Sequence, residues 1–248
     1  MNPTYQVISL EISSLSYRET AEAIIELGAK RKPSYCCFAN AHMTIEAYDS
    51  LSFAGQVNAA NFVCADGMPL VKAVKLLYNQ RIERVAGMDM MPTIMKTAEE
   101  KHLSVYFFGT TDEVLEQIKT EVTIQFPNLK IAGKFSPPFR ELTKEEKQEQ
   151  IQSINNSGAN IVMVALGCPK QEKWMAENSP RINAVCLGVG GAFPVFAKIQ
   201  NRAPKWIRDF SLEWAYRLSQ DPKRLFKRYF YTNTKFLFLL GKQKFAKS

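Results

Sequence analysis

Short apolar runs rich in β-branched residues alternate with amphipathic stretches along the chain, and this alternation limits the fold more than any other feature. The strand-like runs are residues 5–12, 34–39, 61–65, 103–109, 129–132, 160–166 and 184–189. Between them lie helix-like stretches such as 112–125 and 143–156, and Ser16 and Glu19 form a capping box. The alternation predicts an α/β fold with a mainly parallel, Rossmann-like sheet and helices on both faces.

The composition is that of a soluble globular protein with no membrane span. Of the 248 residues, 46% are hydrophobic and 23% are charged, and no apolar run approaches the roughly twenty residues of a transmembrane helix. The amino terminus has no signal-peptide pattern. The cysteines are Cys36, Cys37, Cys64, Cys168 and Cys186. They lack metal-ligand spacing, so we predict buried free thiols, a cytoplasmic protein, no metal and no cofactor.

The net charge is concentrated near the carboxyl terminus. Residues 199–248 hold 12 of the 32 Lys and Arg residues and 3 of the 24 Asp and Glu residues, a net +9 against −1 for the rest. We therefore divide the chain into an α/β catalytic domain, residues 1–200, and a basic helical appendage, residues 201–248. Such asymmetry predicts an anionic partner: nucleic acid, phospholipid or a phosphorylated substrate.

The appendage contains a predicted amphipathic helix that starts at Pro222, after Asp221. Its predicted apolar side carries Leu225, Phe226, Tyr229, Phe236, Leu237 and Leu240. Its other side carries Lys223, Arg224, Lys227, Arg228 and Lys235. A helix of this kind suits an anionic membrane surface. The alternative is a helix that packs on the body and turns a solvated basic face to water.

Small or polar residues follow five of the predicted strands. They are Asn40-Ala41-His42, Asp66-Gly67, the stretch from Gly109 to Asp112, the stretch from Gly167 to Glu172, and Gly190-Gly191. In open parallel sheets, ligands bind at the carboxyl ends of the strands. The sequence therefore predicts one ligand site to which these residues contribute.

Asp66 stands alone at the end of a buried strand and allows two interpretations. It can be a general base that takes a proton from a hydroxyl nucleophile, as an inverting sugar transfer requires. It can also be the N-cap of the helix that follows, since Asp is a favoured cap.

Two glycine-containing turns are candidates for contact with the donor. In the stretch from Gly167 to Glu172, free backbone N–H groups, Lys170 and Gln171 suit a phosphate; the alternative is an ordinary turn with a solvated polar face. The stretch from Gly188 to Gly191 allows close approach to the backbone, or is merely a tight turn. It lacks the spacing of a dinucleotide fingerprint.

Arg84 and His42 complete the candidate site. The Arg84 guanidinium can clamp a phosphate, or it can pair with Glu83 or Asp89 at the surface. His42 follows Asn40 at a strand end and is a candidate for substrate contact. The other histidine, His102, lies in a charged surface run, and we predict no role for it.

These pieces, in this order, resemble the WecG/TagA/CpsF family of bacterial glycosyltransferases. The matching stretches are Asn40-Ala41-His42, Ala65-Asp66-Gly67, 83–87, 167–172, 188–191, Arg202-Ala203-Pro204 and 212–217. The sequence departs from the family pattern at Phe38, Pro137-Pro138-Phe139 and Pro194.

The resemblance implies transfer of a sugar, with inversion and without a metal, from a nucleotide sugar such as a UDP-sugar to a polyprenyl-diphosphate-linked sugar. The product would serve cell-surface polysaccharide synthesis, as in an exopolysaccharide or cell-wall polymer. Asp66 matches the family's proposed base, and Asn40, Arg84 and Gln171 match its polar donor-site residues. The basic appendage matches its membrane- and acceptor-facing part, so Arg217, Arg224 and Arg228 are candidates for the acceptor phosphates, and the protein is expected at the inner face of the cell membrane.

Other functions remain open from the residues alone. The basic tail also suits a nucleic-acid-binding module, although its aromatic residues are predicted to lie with aliphatic ones and we predict no nucleic-acid partner. A nicotinamide-dependent oxidoreductase would need the missing dinucleotide fingerprint. The identity of the sugar and the nucleotide, and the presence of a homo-oligomer, are not determined by these patterns.

Overall fold

The structure is a computed structural model that describes residues 3–138, 140, 142–204, 207 and 213–247. Its strands are β1 Thr4–Val7, β2 Leu10–Ser13, β3 Ser34–Ala39, β4 Phe62–Ala65, β5 Ser104–Gly109, β6 Lys130–Phe135, β7 Ile161–Ala165 and β8 Val185–Gly188. Its helices are α1 Tyr17–Ala29, α2 Ala41–Asp49, α3 Leu51–Asn58, α4 Met68–Tyr78, α5 Gly87–Glu100, α6 Asp112–Gln125, α7 Lys144–Asn156, α8 Lys170–Asn178, α9 Ala192–Phe196, α10 Glu213–Gln220 and α11 Pro222–Lys247.

The main sheet has six parallel strands in the order β4-β3-β8-β7-β5-β6. Most of its strands are buried on both faces, which is why their sequences read as continuous apolar runs. Because the strands are parallel, all their carboxyl ends lie at one edge of the sheet. The predicted Rossmann-like α/β fold is confirmed.

The core lies in two layers, one on each face of the sheet. Successive β3 residues alternate between them: Tyr35, Cys37 and Ala39 belong to one layer, and Cys36 and Phe38 to the other. The first layer is closed by α2, α3, α4, α7, α8 and α11, and the second by α1, α5, α6 and α9. The predicted placement of helices on both faces follows directly from this alternation.

The amino-terminal run, residues 5–12, is a hairpin rather than the predicted single strand. β1 and β2 pair antiparallel, with Val7 opposite Leu10, and Ile8 between them has φ 57°. The sequence lacks the Gly, Asn or Asp that marks such a turn. The Ile8 amide instead donates a hydrogen bond of 2.8 Å to Gln243 Oε1 from α11, a contact distant in sequence. The hairpin also reaches β4, where the Val63 amide donates to Ser13 Oγ at 3.0 Å.

β6 was predicted too short, as residues 129–132, and extends to Phe135. It is an edge strand and only half-buried, so its apolar signal is weak. Gly133 interrupts the pattern because a Cβ there would lie 2.5 Å from the Tyr106 ring.

The carboxyl-terminal helix α11 packs on the body. Leu225, Phe236, Leu239 and Leu240 are buried, and the last three join the core layer that also contains α2 and α4. The predicted apolar side is divided between two surfaces, because Phe226 and Leu237 are exposed together with Phe230 and Phe238. Helical projection had merged two neighbouring stripes, one that faces the body and one that faces outward.

Candidate active site

The carboxyl ends of five neighbouring strands carry the predicted site residues along one edge. In sheet order they are Asp66 after β4, Asn40 after β3, Gly190 and Gly191 after β8, Gly167 after β7 and Gly109 at the end of β5. The structure therefore brings together the strand ends that the sequence indicated.

Asp66 is fixed by its backbone and does not cap α4. Its amide donates to Ala39 O at 2.8 Å and to Cys64 O at 3.0 Å, which ties the end of β4 to the end of β3. The N-cap of α4 is Gly67, with no side-chain cap bond. The N-cap interpretation of Asp66 is therefore wrong, and its side chain, 30% exposed, reaches the edge of the site.

Arg84 lies against Asp66. Its Nε donates a hydrogen bond of 2.6 Å to the Asp66 carbonyl oxygen, and its Nη2 lies 3.8 Å from Asp66 Oδ1. The adjacent Val85 amide donates to Ala65 O at 2.9 Å, so the segment before α5 runs beside the end of β4. The alternative of pairing with Asp89 is also present, since Arg84 Nη1 lies 3.6 Å from Asp89 Oδ2. Glu83 instead accepts from the Tyr17 amide at 2.8 Å.

Asn40 is the N-cap of α2, because its Oδ1 accepts a hydrogen bond from the Met43 amide at 3.1 Å. That oxygen serves the helix, so any bond from Asn40 to a ligand would come from its amide nitrogen. Gly67 lies beside it, where a Cβ would be 3.3 Å from Asn40 Cβ. The ends of β3 and β4 are thus closely packed.

His42 lies in the first turn of α2, where the carboxyl-terminal helix reaches the site. Burial lowers its pKa, the nearby Arg228 lowers it further, and Glu46 opposes both. Its Nδ1 lies 3.8 Å from Glu46 Oε1 and is buried without a hydrogen bond. Arg228 itself is exposed and stacks over the Tyr229 ring at 5.3 Å. The side chains of Arg217 and Arg224, which were predicted to face the acceptor, lie outside the described part of the structure.

The turn that follows β7 differs from the expected solvated one. Gly167 has φ 76°, a conformation that favours glycine, and Lys170 opens α8 on the exposed side. Gln171 and Glu172, however, point into the protein, with 5% and 0% of their surface exposed. The alternative of a solvated polar face is therefore wrong for these two residues.

Gln171 and Glu172 form a buried polar pair beneath the glycine turn that follows β8. Gln171 Nε2 donates to Glu172 Oε1 at 2.6 Å and to Gly188 O at 3.1 Å. A Cβ on Gly190, which has φ 40°, would lie 2.9 Å from Gln171 Oε1. The two glycine-containing motifs are therefore in contact with each other, and Gly191 begins α9 as its N-cap.

The Glu172 carboxyl is the most deeply buried acid near the site. Burial raises its pKa above the ordinary 4.5, and hydrogen bonds from Gln171, the backbone and Cys168 oppose that increase. Its charge in turn raises the pKa of the Cys37 thiol, after the larger effect of burial.

The predicted interpretation of the cysteines as free thiols is confirmed, with Cys168 only half-buried and the other four buried.

Two residues near Asp66 were not selected from the sequence as site residues. Asp89, in the first turn of α5, and Arg202 are joined by a hydrogen bond of 2.6 Å from Arg202 Nη2 to Asp89 Oδ1. The sequence had indicated Asp89 only as an alternative ion-pair partner of Arg84. It had indicated Arg202 only as part of the Arg202-Ala203-Pro204 stretch.

No group of three or more His, Cys, Asp or Glu side chains within the described ranges is arranged to hold a metal ion. Among those same residues, no helix has the combined length and apolar character that crossing a bilayer requires.

The fold and the site define an α/β protein whose polar and glycine-rich strand ends line one edge of a parallel sheet, with Asp66 and Arg84 at the end of β4. The sequence model of the WecG/TagA/CpsF family of glycosyl transferases matches residues 5–248, essentially the whole chain. The chain therefore belongs to this family of glycosyltransferases, which act in the biosynthesis of cell-surface polysaccharides.

Proposed function

We propose that this protein is an inverting glycosyltransferase that moves a sugar from a UDP-sugar to a polyprenyl-diphosphate-linked sugar, with Asp66 as the general base. The observation that carries the proposal is the position of Asp66. It is a partly exposed carboxylate, held by backbone bonds at the carboxyl edge of the sheet and next to a guanidinium group. With Gly67 as the cap of α4, helix formation does not account for an acid at this position.

The proposed reaction is a single displacement. Asp66 takes the proton of an acceptor hydroxyl, whose oxygen attacks the anomeric carbon of the donor sugar from the face opposite the leaving group. The bond between that carbon and the diphosphate oxygen breaks, and the nucleoside diphosphate leaves with the electron pair. Configuration at the anomeric carbon is inverted because one displacement occurs.

The leaving diphosphate gains negative charge and needs fixed cations or dipoles. Arg84 supplies a guanidinium beside Asp66, and Lys170 supplies an ammonium at the exposed start of α8. The amino terminus of α8 adds a favourable dipole next to Gly167. We assign the donor to this edge, along the ends of β4, β3, β8, β7 and β5, with Asn40, Gln171, Glu172, Gly109, Gly190 and Gly191 shaping the donor site.

The acceptor side is assigned to α11. The exposed ridge formed by Phe226, Phe230, Leu237 and Phe238 runs along a helix that also carries exposed Lys223 and Lys227. Apolar and basic groups on one surface suit an anionic bilayer, and a lipid-linked acceptor stays at that bilayer. The helix also brings Arg228 to His42 at the site, so the helix that carries the exposed ridge also contributes to the acceptor side of the site. We propose a peripheral protein of the inner face of the cell membrane.

The test is a panel of UDP-sugars, each incubated with a short-chain polyprenyl-diphosphate-linked sugar in vesicles with anionic lipid. One donor should give a disaccharide lipid whose new bond has the anomeric configuration opposite to that of the donor. UDP binding, measured by calorimetry, gives a second readout that does not depend on the acceptor. Retention of configuration, or the absence of both turnover and UDP binding, would overturn the proposal.

A further inference from the structure

Four charged side chains alternate in sign next to the end of β4. Arg84 Nη2 lies 3.8 Å from Asp66 Oδ1, and Arg84 Nη1 lies 3.6 Å from Asp89 Oδ2. Arg202 Nη2 lies 2.6 Å from the other oxygen of the same carboxylate, Asp89 Oδ1. The order is therefore Asp66, Arg84, Asp89, Arg202. The two arginines occupy opposite oxygens of one aspartate.

Asp89 is the member of this row whose position is most firmly set by the fold. It lies in the first turn of α5, where a negative charge is favoured by the helix dipole. The residues that follow it, Met90 and Met91, are fully buried. At the start of the helix, Gly87 lies so close to Phe38 that a Cβ would be 3.1 Å from the ring. Asp89 is thus held by packing on both sides.

Arg202 comes from a different part of the chain, between α9 and α10. Its neighbour Ala203 is buried at 5% exposure, and the Arg202 side chain is 25% exposed. Its Nε is buried and has no hydrogen bond to any described residue. Its guanidinium is therefore directed by the bond from Nη2 to Asp89.

Two guanidinium groups repel each other at short range unless an anion lies between them. Asp89 supplies that anion, because its carboxylate lies between Arg84 and Arg202. A pair of planar, forked cations is the arrangement that binds a diphosphate group, because each fork can donate two parallel hydrogen bonds to phosphate oxygens.

We propose that Asp89 is a positioning residue, which holds Arg84 and Arg202 side by side as a two-arginine site for a diphosphate group. This inference rests on the proposed function and adds Asp89 and Arg202 to it. Through Arg202, the start of the carboxyl-terminal part of the chain would also contribute to the reacting centre. The diphosphate belongs to the nucleotide donor or to the lipid-linked acceptor, and the experiment separates these two sources.

The experiment compares Asp89→Asn, Arg202→Gln and the double variant in the full-length protein. UDP affinity is measured by calorimetry, and KM is measured separately for donor and acceptor. Each single variant should weaken one diphosphate ligand by about tenfold to a hundredfold, the usual loss when a bond to a charged group is removed. A loss of UDP affinity with a raised donor KM assigns the pair to the donor. A raised acceptor KM alone assigns it to the lipid diphosphate.

The readout that a purely structural ion pair would not move is the affinity for one diphosphate ligand at an unchanged melting temperature. The double variant should be no weaker than Asp89→Asn alone, since Asp89 acts through Arg202. Asp89→Glu keeps the charge and should restore part of the affinity. Additive losses, or a lower melting temperature with UDP affinity and both KM values within about twofold of wild type, would overturn the proposal.

The matched control is Glu121→Gln. It breaks the 2.8 Å ion pair between Glu121 in α6 and Lys198 in the segment after α9. It should leave both ligands unaffected. If Asp89→Asn fails to fold, Arg202→Gln carries the test alone. Inorganic diphosphate is the probe if wild type shows no transfer. Binding to wild type but not to Arg202→Gln then supports the pair while the proposed function fails, and no binding to wild type overturns the pair.

Discussion

A buried polar contact joins Gln171 and Glu172 at the start of α8. Gln171 and Glu172 follow a strand end and a proline, a context typical of an exposed first helical turn, yet both side chains are buried under the turn at Gly190. The glycines that make room for Gln171 lie seventeen and nineteen positions later in the chain. No local pattern around residue 171 reports them, so only the fold could reveal the contact.

The buried Glu172 carboxyl predicts a specific dependence of stability on pH. Its pKa is raised in the folded protein, so folding favours the protonated form. The stabilisation is complete below the ordinary pKa of 4.5 and is lost as pH rises through the raised value. Glu172→Gln, which cannot ionise and keeps an acceptor for Gln171, should therefore gain stability relative to wild type as pH increases from about 4 to 8.

The measurement is the melting temperature of both proteins across that range. Glu149→Gln, at an exposed position of α7, is the control and should run parallel to wild type. Parallel curves for Glu172→Gln and wild type would show that the buried carboxyl does not change its protonation in this way.

Among the secondary-structure elements, those with an unbroken apolar run or a clear helical spacing were predicted best. β3 and α6 have the bounds that the sequence indicated, because a fully apolar run and a helical spacing with clear ends leave little choice. The hairpin of β1 and β2 and the edge strand β6 were missed in part because their shapes depend on Gln243 and Tyr106, which are distant in sequence. Helix α11 was predicted as a helix, but which of its two apolar stripes faces the body is a tertiary property.

Substitutions in the two stripes of α11 should have different effects, one on stability and the other on membrane binding. Phe236 is 3% exposed and packs in the core, so Phe236→Ala should destabilise the protein by about 3–5 kcal/mol. Phe230 is 68% exposed, so Phe230→Ala should change stability by less than about 0.5 kcal/mol. If that ring enters a bilayer, the same change should reduce affinity for anionic vesicles by about tenfold or more.

Denaturant unfolding and vesicle flotation measure the two effects. If Phe230→Ala floats with vesicles to the same extent as wild type, the exposed ridge does not contact lipid. A melting curve of Phe236→Ala equal to that of wild type would show that α11 does not pack as described.

At the scale of the whole molecule, the charge count predicted a basic tail, and the structure shows how that tail meets the body. Lys235 forms an ion pair with Asp49 at 2.5 Å, and Tyr231 donates to the same carboxylate at 3.0 Å. Part of the positive charge therefore serves packing against α2. The division at residue 200 remains a proposal about function, since α11 shares a core layer with the main sheet.

The remaining exposed charge should govern membrane association. Lys223→Glu with Lys227→Glu reverses two exposed charges on α11, and each basic group near an anionic leaflet is worth about 1 kcal/mol. Vesicle binding at low salt should fall by at least about 30-fold, with little change in melting temperature. Lys119→Glu with Lys147→Glu makes the same change in net charge on α6 and α7 and should bind vesicles nearly as wild type does. Equal losses in the two double variants would mean that net charge alone, and not the α11 surface, controls binding.

We propose that Asp66 removes the proton from the acceptor hydroxyl, and the turnover number of Asp66→Asn with the donor that wild type uses tests this role. Turnover should fall by roughly two to four orders of magnitude, while UDP binding persists and the melting temperature holds, because Gly67 and not Asp66 caps α4. Glu113→Gln, which removes an exposed carboxylate in the first turn of α6, is the control and should turn over as wild type does. A turnover number for Asp66→Asn equal to that of wild type would contradict the account.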